Sequence, residues 1–107
     1  MATQAKRAKT QDPITVAPDV YRVLFENERV RLLDIRLKPG GKSPLHTHPG
    51  FVAYNLNDCE VRFISEDGKS EDVKLKAGEA FWSDAVAHSV ENIGKTECRA
   101  LNFELKT

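Results

Sequence analysis

Cysteine is scarce in this chain, with only Cys59 and Cys98 among 107 residues. Two thiols so far apart in sequence make neither a disulfide framework nor a zinc ribbon, and a reducing compartment would keep both as free cysteines. Charge of one sign is not in excess either, because 16 basic side chains balance 16 acidic ones. No long-range field then recruits nucleic acid or an anionic membrane, and neither partner is expected. No apolar run approaches the roughly 20 residues of a membrane span. The opening stretch carries Lys6, Arg7 and Lys9 with no apolar segment behind them, which speaks against a secretory signal and for a cytoplasmic protein. No window repeats apolar side chains at helical spacing. There is no GxSxG, no phosphate-binding glycine loop and no dinucleotide fingerprint, so serine nucleophiles and nucleotide chemistry have no support.

The chain does have a β rhythm. Residues 1–12 lack periodicity and form an expected flexible tail, and residues 13–107 form one domain, large enough to bury a single core. From Pro13 onward, short runs of β-branched, aromatic and leucine residues are punctuated by Gly, Pro, Asn or Asp at intervals of about ten residues. The pattern predicts strands near 21–26, 30–38, 51–56, 60–65, 70–75, 79–82, 87–92 and 97–105. Glu66-Asp67-Gly68-Lys69, between Val61-Arg62-Phe63-Ile64 and Val73-Lys74-Leu75, is the clearest hairpin signal. A single flat sheet of such strands would leave one face and both edges bare. The expected fold class is all-β, with two sheets closed on each other as a sandwich, jelly roll or small barrel.

The three histidines carry the chemical signal. His46 and His48 are two apart, so on an extended segment both imidazoles point to one face and can meet one ion. His88 lies in Val86-Ala87-His88-Ser89-Val90, whose apolar neighbours turn it to the interior as well. Tyr54 and Trp82 are candidate substrate-binding residues at a pocket mouth, against the commoner role of an aromatic as core packing. Imidazole ligates only when neutral, so with ordinary pKa values near 6.5 metal affinity is expected to fall below about pH 6.

Gly40 through His48, followed by Gly78-Glu79-Ala80-Phe81-Trp82 and His88-Ser89-Val90-Glu91-Asn92, resembles the two motifs of the cupin superfamily. Gly40, His46 and His48 fit the first at its spacing. Gly78, His88 and Asn92 follow the order of the second, with the Gly-to-His interval one residue short. The resemblance implies a single-domain cupin-type jelly-roll β-barrel holding a metal with residues of both motifs. Where the family has a metal-binding Glu, this chain has Val52 or Ala53, and Glu60 is a candidate replacement whose register is open. What remains is a three-histidine site of His46, His48 and His88, suited to one divalent transition metal (Fe, Ni, Cu or Zn) rather than Mg or Ca. The resemblance implies a metal-dependent oxygenase, similar to cupin dioxygenases, acting on a small polar or anionic molecule. The alternative is a non-catalytic cupin that binds or senses a metal or small ligand. The second motif also looks like that of short bacterial cupins, some linked to β-alanine catabolism. Cupins of this kind commonly dimerise, and a homodimer with contacts from residues 13–26 is expected.

Overall fold

The computed structural model describes residues 11–106. Most of the expected tail, residues 1–10, lies outside the described residues. Gln11 and Asp12 belong to the fold: the Gln11 carbonyl accepts from Thr47 N–H at 2.8 Å, and Asp12 caps a short helix α1 (Pro13–Val16), its side chain accepting from Ile14 N–H. Proline at the first helical position suits that cap. The rest is β1 (Tyr21–Glu26), β2 (Val30–Leu37), β3 (Lys42–His48), β4 (Phe51–Asn55), β5 (Cys59–Ser65), β6 (Ser70–Leu75), β7 (Ala80–Ser83), β8 (Val86–Asn92) and β9 (Cys98–Leu105).

The strands pair antiparallel into a five-stranded sheet in the order β1-β2-β9-β4-β7 and a four-stranded sheet in the order β3-β8-β5-β6. The fold is the jelly roll expected from the sequence. The β5–β6 hairpin turns at Glu66-Asp67-Gly68, where Gly68 takes φ +91°, a conformation that residues with a Cβ avoid. One strand went unexpected. β3 has no apolar alternation, and Pro44 removes a ladder donor within it. It pairs with β8 because Pro44 falls in the register break between Ser43 and His46, where a missing N–H costs no hydrogen bond. Its buried positions are Ser43, His46 and His48, so its inward face is polar.

Between the sheets, Leu37, Val61, Val90 and Cys98 pack with Phe63, Val73 and Leu75, while Ala17, Tyr21 and Leu33 pack with Ile14, Val23 and Ile35. The expectation of two free cysteines is corrected: Cys59 and Cys98 form a disulfide with Cα atoms 5.5 Å apart. Cys59 begins β5 in one sheet and Cys98 begins β9 in the other, so the bond staples the sheets together. Sequence separation hid this, because closing the two sheets brings strand starts together that are distant along the chain. Among the described residues no helix is long and apolar enough to cross a membrane.

Candidate metal site

β3 and β8 place the histidines. His46 and His88 are directly paired across the ladder, and His48 lies two residues along the same face. All three are buried, and their potential ligand atoms lie within 4.8 Å of one another. The ring centroids of His46 are 4.7 Å from those of His48 and 4.8 Å from those of His88. Phe63 stacks on His88 with centroids 5.5 Å apart, and Phe51 lies 4.9 Å from His48.

The far ring nitrogens of two histidines are already committed. His46 Nδ1 is 2.8 Å from the Pro44 carbonyl, which can only accept, so Nδ1 carries the proton. His48 Nδ1 is 2.6 Å from Glu104 Oε2. Each ring thereby leaves its Nε2 for a ligand, the arrangement in which a carbonyl or carboxylate orients a metal-binding imidazole. In this structure His46 Nε2 is 3.2 Å from the Tyr21 hydroxyl. The fit to a metal rests on that donor set: three buried, convergent imidazoles suit a borderline transition metal.

Burial, aided by the neighbouring His48, pushes His46 down to about 4 against the opposing pull of Pro44 and Glu104. Burial likewise pushes His88 down to about 3, with His46 and His48 adding to it. Both stay neutral well below the pH at which ordinary histidines protonate, so the expected loss of ligation below about pH 6 moves to lower pH for these two. Burial pushes Tyr21 up to about 12, the Ser43 hydroxyl opposing and Glu104 adding. Tyr21 is thus a neutral hydrogen-bond donor.

Glu104 was missed by the sequence reading. It sits on β9 in the opposite sheet, 1 % exposed, and bridges His48 to Arg31, whose Nε lies 3.0 Å from Glu104 Oε1. Arg31 in turn makes two 3.1 Å hydrogen bonds to Asp12. The row His48, Glu104, Arg31, Asp12 therefore runs from the histidine cluster to the cap of α1. Its signal in sequence is the inverted alternation of β9, whose inward side is Cys98, Ala100, Asn102 and Glu104. Glu60, on β5, is paired with Lys74 of β6 and is not in the cluster.

Beside the histidines opens a cavity of about 300 Å³, walled by apolar side chains such as Leu37, Phe51, Val61 and Val90. That is the small end of the usual range for ligand pockets. Ala53 faces the cavity and Val52 faces out, so the inward one of the two positions where the family has Glu is a methyl group. Trp82 stands at the rim, its ring so close to Gly50 that a side chain there would collide with it. Tyr54 is half-exposed on the outer face of β4, paired with Ala80 and Leu101, and does not line the cavity.

The cupin-domain family model matches residues 33–104. Among solved structures, a cupin domain from Bordetella pertussis shares 27 % identity over 82 % of this chain and 93 % of its own, with a TM-score of 0.76. A protein with a double-stranded β-helix domain from Klebsiella pneumoniae shares 18 % over 81 % and 76 %, with a TM-score of 0.66. A polyketide cyclase from Streptomyces resistomycificus shares 22 % over 81 % and 64 %, with a TM-score of 0.60. The latter two likenesses concern the fold alone. No curated protein sequence matches the chain.

Proposed function

This chain belongs to the cupin family, and from that premise we propose that it binds one divalent transition metal through His46, His48 and His88 and acts as a metal-dependent oxygenase on a small polar or anionic molecule. The observation that carries this reading is the convergence of three buried imidazoles, two with Nδ1 already engaged, beside an apolar cavity. A bound metal would supply Lewis acidity and redox capacity, with coordination positions left open by a three-residue ligand set. The protein's own residues do the rest. Pro44 and Glu104 orient His46 and His48, Tyr21 offers a hydroxyl proton beside His46, and the apolar walls keep water from the bound molecule. The nearest carboxylate, Glu104, is held by His48 and Arg31, so an anionic substrate meets no free negative charge there. Fe, Ni, Cu and Zn all suit the donor set; Zn would supply Lewis acidity alone, so the oxygenase reading calls for one of the other three.

Ala53 supports a second reading, a non-catalytic sensor of a metal or small ligand, because a methyl group faces the cavity where the family has its metal-binding carboxylate. Metal analysis of purified protein, followed by oxygen uptake with small carboxylates, diketones and thiols, tests both. Wild type should carry close to one metal per chain, and His46→Ala or His88→Ala should lose it. Metal retained in both variants, or none bound by wild type after loading, overturns the site. Stoichiometric metal without oxygen uptake favours the sensor.

A further inference from the structure

A side-chain amide shut away from water is costly unless it is hydrogen-bonded. Asn92 obeys that rule. It is 1 % exposed, its Nδ2 donates to the Leu37 and Thr96 carbonyls at 2.8 Å each, and its Oδ1 accepts from Gly94 N–H at 3.0 Å. Asn102 does not obey it. It is 4 % exposed, and its register partners are Leu33 of β2 and Ala53 of β4, whose side chains have nothing to offer it. Among the described residues neither its Oδ1 nor its Nδ2 meets a hydrogen-bond partner. Neither atom is sealed in protein as the unpartnered Arg99 Nε is; the Asn102 carboxamide borders the cavity.

We propose that Asn102 is a substrate-binding residue of the cavity, and that the group it binds is a carboxamide of the substrate. Position is the first argument. Asn102 lies on the sheet opposite His48 and His88, one inward position along β9 from Glu104 and about 7 Å from it, so a small molecule in the cavity can meet both walls. The count of donors and acceptors is the second. Asn55 stands diagonally across from Asn102, two residues beyond Ala53 on β4. Its Nδ2 donates to the Lys76 carbonyl at 3.2 Å, which fixes the amide and leaves Oδ1 to the cavity. This wall therefore presents two unclaimed acceptor oxygens together with the Asn102 N–H donors. A ligand that satisfies it must bring N–H or O–H donors as well as an acceptor. A carboxamide carries both in one plane, whereas a carboxylate or a ketone brings acceptors alone. Charge is the third. Among the described residues no lysine or arginine lines the cavity, and the one carboxylate besides those described above, Glu71, is exposed, so this wall has no counter-charge for an ionised carboxyl group. A site built to pair a polar group rejects the analogue that lacks it, because its own buried groups are then left unpaired. Asn102 holds this role only if the cavity is where the substrate of the proposed oxygenase binds, and it needs no metal to do so.

Metal-free protein tests this independently of metal content and oxygen uptake. Trp82, the single tryptophan of the chain, lines the cavity, and its indole N–H resonance reports occupancy. Butyramide and 2-pentanone share a shape and differ by an amino group against a methyl, while butyrate adds charge. Wild type should bind butyramide about tenfold more tightly than either of the others. Asn102→Leu should lose that preference and melt no lower than wild type, because a hydrocarbon replaces an unpaired amide. Asn92→Leu, which leaves two carbonyls and an N–H without their partner, should melt well below wild type. If Asn102→Leu crowds the cavity, Asn102→Ala decides by the ligand preference. A butyramide preference in a chain that never binds metal supports Asn102 and sinks the oxygenase. A wild type that binds butyramide no better than 2-pentanone, or not at all, overturns the proposal and leaves the metal site untouched. So does a preference that survives in the folded Asn102 variants. Melting of both Asn102 variants as far below wild type as Asn92→Leu also overturns it, since the amide would then be bonded within the protein.

Discussion

The two ends of β9 close the same cavity by different means. At Glu104 the inward groups are polar and each is held by the next: His48 by Glu104, Glu104 by Arg31, Arg31 by Asp12. At Cys98 the inward groups are Leu37, Val61 and Val90, closed by apolar contact and the bond to Cys59. A packed apolar end tolerates exchange of one hydrocarbon for another of equal volume. A buried charged row does not, because removing one member leaves its neighbours unpaired in a medium that cannot solvate them. The polar end is therefore where side chains are set to fixed directions, and there the histidines sit.

The largest effect should come from breaking the polar end. Glu104→Ala leaves Arg31 with Asp12 as its one carboxylate partner and takes the partner of buried His48, and should cost about 3–5 kcal/mol in denaturant unfolding and about 10–100-fold in metal affinity. Glu104→Gln keeps an acceptor for His48 and should lose less of the affinity. An alanine variant within about 1 kcal/mol of wild type would mean that the row is ornamental.

Breaking the apolar end should do less. Reduction with a dithiol, or Cys98→Ser, removes a crosslink spanning 39 positions and should destabilise by roughly 2–4 kcal/mol. Metal stoichiometry should be preserved, since the bond lies at the other end of β9. Loss of metal on reduction would show that the two ends are coupled.

The last effect is one of pH and sharpens the contrast. His46 and His88 sit near 4 and 3 in the folded protein, against about 6.5 in the unfolded chain. As pH falls below 6.5 the unfolded state takes up protons that the folded state refuses. Stability of the metal-free protein is therefore full above that value and declines toward pH 4, by up to about 1.4 kcal/mol per pH unit for each histidine. Thermal melts at pH 7.5 and 5 measure the decline, and His88→Leu should make it shallower. Equal melting temperatures for wild type at the two pH values would contradict burial of the neutral form.

Much of the architecture was legible because alternation and turn chemistry are local. The strands, the Glu66-Asp67-Gly68 hairpin and the common face of His46 and His48 follow from a period of two and from residues that favour turns. β3 was not legible as a strand, since its inward side chains are histidine and serine, which read as loop. β9 misleads in the other direction: Leu101, Phe103 and Leu105 look like a core face, yet they point outward while Asn102 and Glu104 point in. Sequence by itself determined that these residues alternate, that two histidines share a face and that the chain closes as two sheets. Which face is inner was decided only by tertiary structure, through the register of β9 between β2 and β4. That register put Glu104 on His48, turned Ala53 rather than Val52 to the cavity, and left an apolar row outside. The physical reason is that a strand's alternation has two equivalent phases, and only pairing with strands distant in sequence selects one.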